Sequence, residues 1–144
     1  MFRFKHGDTP VPGFRILRGR ALHIARFGVW SYHHGDNTRY RGGPPGFWEV
    51  MEGSPVTGAI LQVLSESLDD GEVLDRVWSR TDRFSVRRNR AAYYWQATPL
   101  LSRKLRDLAH MGADGLTAPA ERCRVPSAYS DRLYTAPSNG EMAR

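Results

Sequence analysis

The chain has 144 residues, 40% hydrophobic and 25% charged, the composition of one soluble globular domain rather than a disordered tail. A chain of this size can bury roughly 68–70% of its unfolded surface, and no run approaches the ~20 apolar residues that span a bilayer. Cys123 is the only cysteine, which excludes an internal disulfide framework and a cysteine-rich zinc site. Residues Met1–Asp8 lack the apolar stretch of a secretory signal, so a reducing, cytoplasmic setting is the expectation. Net charge is +6, unevenly spread: Glu66 to Asp75 holds five acids and no base, and Arg76 to Arg106 holds nine bases against Asp82 alone. Such a basic stretch attracts phosphate or forms a solvated helix face.

In chain order, residues 1–12 read as an irregular leader closed by Pro10 and Pro12. Phe14–Leu17 is a short apolar run between glycines, consistent with a strand or its end. Arg20–Arg26 reads as a turn or helical stub with Leu22 and Ile24 inward. Gly28–His33 carries Val, Trp and Tyr and reads as a strand, followed by the polar loop His33, His34, Gly35, Asp36, Asn37. Prolines and Gly53 frame a short helix over Gly46–Glu52. Gly58–Leu64 and Val73–Trp78 are two further strands, with a turn at Asp69-Asp70-Gly71. From about Ser85 a helical pattern runs to His110, with Ala91, Tyr94, Thr98, Leu101, Leu105 and Leu108 on one face and Pro99 kinking or splitting it. Residues 113–144 read as a linker or tail. Strands alternating with helices predict an α/β fold with a mostly parallel sheet flanked by helices.

Two polar clusters follow apolar strands: Ser31, His33, His34, Asp36 and Asn37, then Glu66, Asp69 and Asp70. In parallel α/β sheets ligands bind beyond the carboxyl ends of strands, where two such clusters can converge; both are also ordinary turn compositions. No metal site is expected, because His33 and His34 are adjacent and point to opposite faces of an extended strand. Ser31 lacks the G-x-S-x-G elbow, and neither G-x-G-x-x-G nor a phosphate loop is present.

The run Gly28–Pro45, with Arg39-Tyr40-Arg41-Gly42, Thr57-Gly58 and Leu68-Asp69-Asp70-Gly71 at ungapped separations, resembles the second half of the formyltransferase catalytic domain. That superfamily includes methionyl-tRNA, glycinamide ribonucleotide and sugar-amine N-formyltransferases. Its marks are a strand ending N-x-H, a Y-R-G-x-x-P loop, a helix, and a T-G strand ending in L-D-x-G. The resemblance implies a partial Rossmann-like formyltransferase domain over residues 13–112 that lacks its N-terminal half. It places His33 on the catalytic histidine, Asp69 on the catalytic aspartate and Ser31 on the asparagine. It also places Leu64, Ser65, Glu66, Ser67 and Leu68 on the loop that holds the pterin of 10-formyltetrahydrofolate.

The chain departs from the family's pattern in three ways. Ser31 replaces the asparagine, whose loss as an oxyanion donor typically costs roughly a hundred- to a thousandfold in rate. Gly35-Asp36-Asn37-Thr38 replaces the usual S-L-L-P, and His34 doubles the histidine, features of a divergent branch with an acceptor other than initiator tRNA. The family's first half has only twelve residues in its place before Gly13, as expected of a truncated product or of a chain that needs a partner half, and residues 129–142 read as the start of a linker to a second domain. The leading expectation is formyl transfer from 10-formyltetrahydrofolate to a small-molecule amine, an amino sugar among the candidates. The alternative from another class is a catalytically silent folate-binding module. An RNA-binding domain built on Arg83, Arg87, Arg88 and Arg90 with Tyr93, Tyr94 and Trp95 ranks third; neither nucleic acid nor membrane is an expected partner.

Overall fold

A computed structural model describes residues 17–66, 71–116, 130 and 132–142. A 3-10 turn over Gly19–His23 leads into β1 (Trp30–His33), β2 (Arg41–Gly42), the short helix α1 (Trp48–Met51), and the long strands β3 (Val56–Val63) and β4 (Glu72–Arg80). Helices α2 (Val86–Ala97) and α3 (Pro99–Met111) follow, then a 3-10 turn Gly112–Leu116, β5 (Leu133–Tyr134) and α4 (Asn139–Met142).

The mixed α/β class stands, but the parallel pairing does not. The main sheet has order β1-β3-β4, and both of its pairings are antiparallel. Connection lengths give the reason. A parallel pair needs a crossover of a dozen or more residues, usually a helix, and only eight residues join β3 to β4. The link from β1 to β3 contains a helix of four residues, about 6 Å long, too short to carry the chain back along the sheet. The one parallel pairing among the described residues is β2 with β5. Gly42 permits it: its φ is +90°, and a Cβ there would lie 2.2 Å from the Tyr134 carbonyl oxygen. Residues 133–134, expected in a tail, therefore pack on the domain, and Tyr134 joins Tyr40, Phe47 and Trp48 in a buried aromatic cluster.

The principal core lies between β3–β4 and α2–α3, with Ala59, Leu61, Leu74, Tyr93, Ala97 and Leu100 buried together. The helical region splits at Pro99 as expected. Ser85 caps α2 by accepting from the Arg88 N–H (3.2 Å), and Pro99 occupies the first turn of α3. The inward face, however, is one residue away from the predicted stripe. Asn89, Tyr93, Ala97, Leu100 and Lys104 are buried, whereas Tyr94, Leu101 and Leu105 are exposed. Asn89 sets this face: its Nδ2 donates to the Gly46 carbonyl (2.9 Å) and to Thr57 Oγ1 (3.0 Å), and its Oδ1 accepts from the Asp82 N–H (3.2 Å). At the other end Lys104 Nζ donates to the Gly115 carbonyl (3.0 Å). Ile24, expected inward, is 80% exposed, while Leu22 is buried as expected. Of the Phe14–Leu17 run, only Leu17 is described, and it is exposed and outside any strand.

Candidate functional site

Side chains alternate across a strand, and directly paired residues share a face. Ser31 pairs with Gln62 and His33 with Ile60, which pairs in turn with Arg76. Ser31, His33 and Arg76 thus stand on the sheet face opposite the one that carries Leu61 and Ala59 into the core. Tyr32 and His34 take the core side. The His34 ring stacks on Tyr32 (6.0 Å, 2°) and meets Tyr94 edge-on at 4.4 Å. Burial there, with His33 adding to it, lowers the His34 pKa to about 4, so this second histidine is a neutral packing group. The Tyr32 hydroxyl donates to the Thr98 carbonyl (3.3 Å) and accepts from the Leu101 N–H (3.1 Å), tying β1 to the break between α2 and α3.

The loop after His33 is held by a buried ion pair. Arg76 Nη1 lies 3.3 Å from Asp36 Oδ1, both side chains almost fully enclosed, and its Nη2 donates to Asn37 Oδ1 (2.7 Å). Asp36 Oδ1 also accepts from the Thr38 N–H (2.9 Å) and hydroxyl (2.6 Å). This clamp stands where the family has its S-L-L-P segment. It folds the chain back tightly at Gly35, where a Cβ would sit 3.1 Å from the Tyr40 carbonyl oxygen and 3.3 Å from His33 Nε2. Asn37 Oδ1 accepts from Arg76, and the Ser31 hydroxyl donates to the neighbouring Tyr32 carbonyl (3.3 Å).

The second predicted cluster leaves β3 at the other end of the ladder. The Leu64 N–H bonds the Val29 carbonyl (2.9 Å), four residue pairs from His33, about 13 Å along the strand. Leu64 is half-buried, Ser65 and Glu66 are exposed, and Glu66 Oε1 accepts from the Gly19 N–H (2.9 Å). Ser67, Leu68, Asp69 and Asp70 lie outside the described residues. Among the described residues no group of three His, Cys, Asp or Glu is placed to hold a metal ion, and no helix is long and apolar enough to cross a membrane.

The matched motifs have structural reasons. Gly58 lies under the indole of Trp78, and a Cβ there would come within 2.7 Å of the ring. Its neighbour Thr57 is fully buried and ties β3 to Asn89 and Thr81. The basic stretch is partly paired and mostly exposed: Arg76 pairs with Asp36, Arg103 with Asp75 and Arg88 with Asp82, Arg90 donates to the Pro45 carbonyl and Lys104 is buried, while Arg80, Arg83, Arg87, Arg88 and Arg106 are exposed. Of the arginines and aromatics assembled for an RNA face, Arg83, Arg87, Arg88, Tyr94 and Trp95 are exposed, Arg90 is half-buried and Tyr93 is buried. Composition missed Arg76 and Glu49, both buried. For Arg76 a signal was available: Asp75-Arg76 sits between Leu74 and Val77 inside an apolar strand, where charges are tolerated when paired.

No family model matches the chain. It is 36% identical over 96 residues to a methionyl-tRNA formyltransferase of Deinococcus radiodurans, covering 65% of this chain and 30% of that one. A second methionyl-tRNA formyltransferase, from Prochlorococcus marinus, is 38% identical over 60 residues, 42% of this chain and 18% of the relative. A formyltetrahydrofolate deformylase from Pseudomonas syringae superposes with a TM-score of 0.54 at 22% identity, over 65% of this chain and 33% of that one. The chain thus spans less than a third of the length of these curated relatives. The aligned stretches and the shared fold agree with the resemblance: the chain is similar to part of methionyl-tRNA formyltransferases in sequence and to part of a formyltetrahydrofolate deformylase in its α/β fold.

Proposed function

We propose that this chain carries a formyl-transfer centre like that of the formyltransferases it resembles, moving the formyl group of 10-formyltetrahydrofolate to an amine. The observation that carries the reading is His33 closing β1 beside Ser31 on one face, with the turn at Gly35 bringing the Tyr40 backbone back toward it. In the reaction the amine nitrogen forms a bond to the formyl carbon, the bond from that carbon to N10 breaks, and a proton passes from the amine to N10. His33 stabilises the charge on the formyl oxygen, and Asp69 tunes His33 and relays the proton through water. Leu64–Leu68 would hold the pterin, of which the half-buried Leu64 offers apolar surface and the exposed Ser65 and Glu66 offer polar groups. The folate supplies the activated formyl carbon.

The Ser31 hydroxyl donates to the Tyr32 carbonyl of its own strand, which weakens it as a second oxyanion donor beside His33. That favours, as a second reading, a silent folate-binding module. The relatives lend no support to an amino sugar as acceptor; their names point to methionyl-tRNA and formyltetrahydrofolate chemistry. A thermal melt of the full chain with and without 5-formyltetrahydrofolate tests the common element, since a ligand that binds only the folded state raises Tm. An upward shift is expected, and a melt indifferent to folate overturns both readings. Formyl transfer to an amine, abolished by Asp69→Asn, separates the first from the second.

A further inference from the structure

The surroundings of His33 are built from two strands away. Gly58 leaves room for the Trp78 indole, and the Arg76 guanidinium stands over that ring, 5.5 Å from its centroid. Ile60 pairs with both His33 and Arg76, so Arg76 starts on the His33 face about 10 Å from β1, two strand spacings away. Its side chain crosses β3 to the loop that follows His33. There its two terminal nitrogens take separate partners: Nη1 lies 3.3 Å from Asp36 Oδ1, and Nη2 donates to Asn37 Oδ1 at 2.7 Å. A planar guanidinium held at both nitrogens fixes direction as well as distance, which a lysine ammonium does not. Asp36 closes the loop on itself, its carbonyl accepting from the Tyr40 N–H (2.9 Å) and its Oδ1 from Thr38. The turn at Gly35 is thereby pressed between the Tyr40 carbonyl and His33 Nε2, 3.1 and 3.3 Å from where a Cβ would stand. His34 lies on the other face, among Tyr32 and Tyr94.

We propose that Arg76 is a positioning residue for His33. Through Asp36 and Asn37 it holds the turn at Gly35 against the imidazole, so that the ring keeps one orientation. Its weight in catalysis rests on the reading of His33 as the oxyanion-stabilising group, since a donor stabilises a developing charge best when it is fixed in place beforehand. Arg76 thus does for this loop, by charge and hydrogen bonds, what a rigid backbone would do by itself.

The test is NMR of the imidazole signals and χ1 couplings of His33 and His34 in the full-length chain, in the wild type, in Asn37→Ala and in Arg76→Lys. Asn37→Ala removes one hydrogen bond at a half-buried position and leaves the buried ion pair; Arg76→Lys keeps the charge and gives up the two-pronged hold. The wild type is expected to show one His33 rotamer. In both variants His33 should shift and populate further rotamers while His34 stays as it was. A His33 ring that samples several rotamers in the wild type overturns the proposal, with no dependence on how a variant folds. His33 signals unmoved in Asn37→Ala also overturn it, and so does an equal change at both histidines, the mark of general loosening. None of these readouts involves folate. A loosened His33 in Asn37→Ala beside a melt indifferent to folate would refute the proposed function and keep the positioning; formyl transfer with an unmoved His33 would refute the positioning alone.

Discussion

At the scale of single residues, Arg76 and Gly58 hold the site in shape by different physics. Arg76 brings a cation to the enclosed carboxylate of Asp36. Removing one member of a buried pair costs roughly 3–5 kcal/mol, whereas replacing both by neutral groups is often near neutral. Arg76→Met is therefore expected to lower stability by about that amount in urea unfolding, and Arg76→Met combined with Asp36→Asn to recover most of it. Equal losses in the single and double variants would show that the pair is not the clamp. Gly58 acts through space. An added methyl would sit 2.7 Å from the Trp78 ring, and overpacking of this kind costs typically about 1–3 kcal/mol. Gly58→Ala should lose that much in a thermal melt, and Trp78→Leu should restore part of it by vacating the contact.

At the scale of elements, the order of strands and helices was legible in the sequence, and so was the break at Pro99, because prolines, glycines and β-rich runs act locally. The strand directions were not. Antiparallel pairing here follows from a four-residue α1 and an eight-residue β3–β4 link, whereas the alternation of strands with helical patterns pointed to a parallel sheet. The facing of α2 and α3 was misread for a related reason. A stripe sought by hydrophobicity finds Tyr94, Leu101 and Leu105, but the packed face starts at Asn89 and ends at Lys104, polar residues satisfied by Gly46, Thr57 and Gly115. In the site, His33 and Ser31 were readable from one motif. Glu49 was not, because a lone glutamate in a short helix carries no sign of its burial. The joint between α2 and α3 offers its own test. The Tyr32 hydroxyl bonds both Thr98 and Leu101, so Tyr32→Phe should cost roughly 0.5–1.5 kcal/mol while keeping the ring stack on His34. Hydrogen exchange should show the loss as faster exchange at the Leu101 amide. An unchanged rate there would mean that the hydroxyl does not hold the joint.

At the scale of the whole molecule, two cations lie inside while apolar side chains of α2 and α3 stand outside. Arg76 and Lys104 are buried, whereas Trp95 is 77% exposed and Leu105 49%. Among the described residues β1 pairs on one edge only, with β3. An open edge beside exposed apolar helix surface favours association between copies. Sedimentation of the purified chain is expected to show mass rising with concentration, and Leu101→Lys with Leu105→Lys to reduce it; a strictly monomeric wild type would refute this.

The neutral His34 and the buried Glu49 also bear on how the fold answers to acid. A base whose pKa falls from 6.5 to about 4 on folding gives stability that is complete above 6.5 and drains away as pH drops toward 4. An acid whose pKa climbs from 4.5 to about 7 does the reverse, with its stability complete below 4.5 and lost as pH rises to 7. Between about 4.5 and 6.5 the folded chain keeps one proton that the unfolded chain releases and refuses one that the unfolded chain takes up, so the two slopes oppose each other. Tm is expected to stay nearly level across that interval in the wild type. Glu49→Gln should make it climb with pH, and His34→Phe should make it fall. A chain that looks indifferent to pH would then be one in which two proton debts, settled in opposite directions, hide each other until either residue is changed.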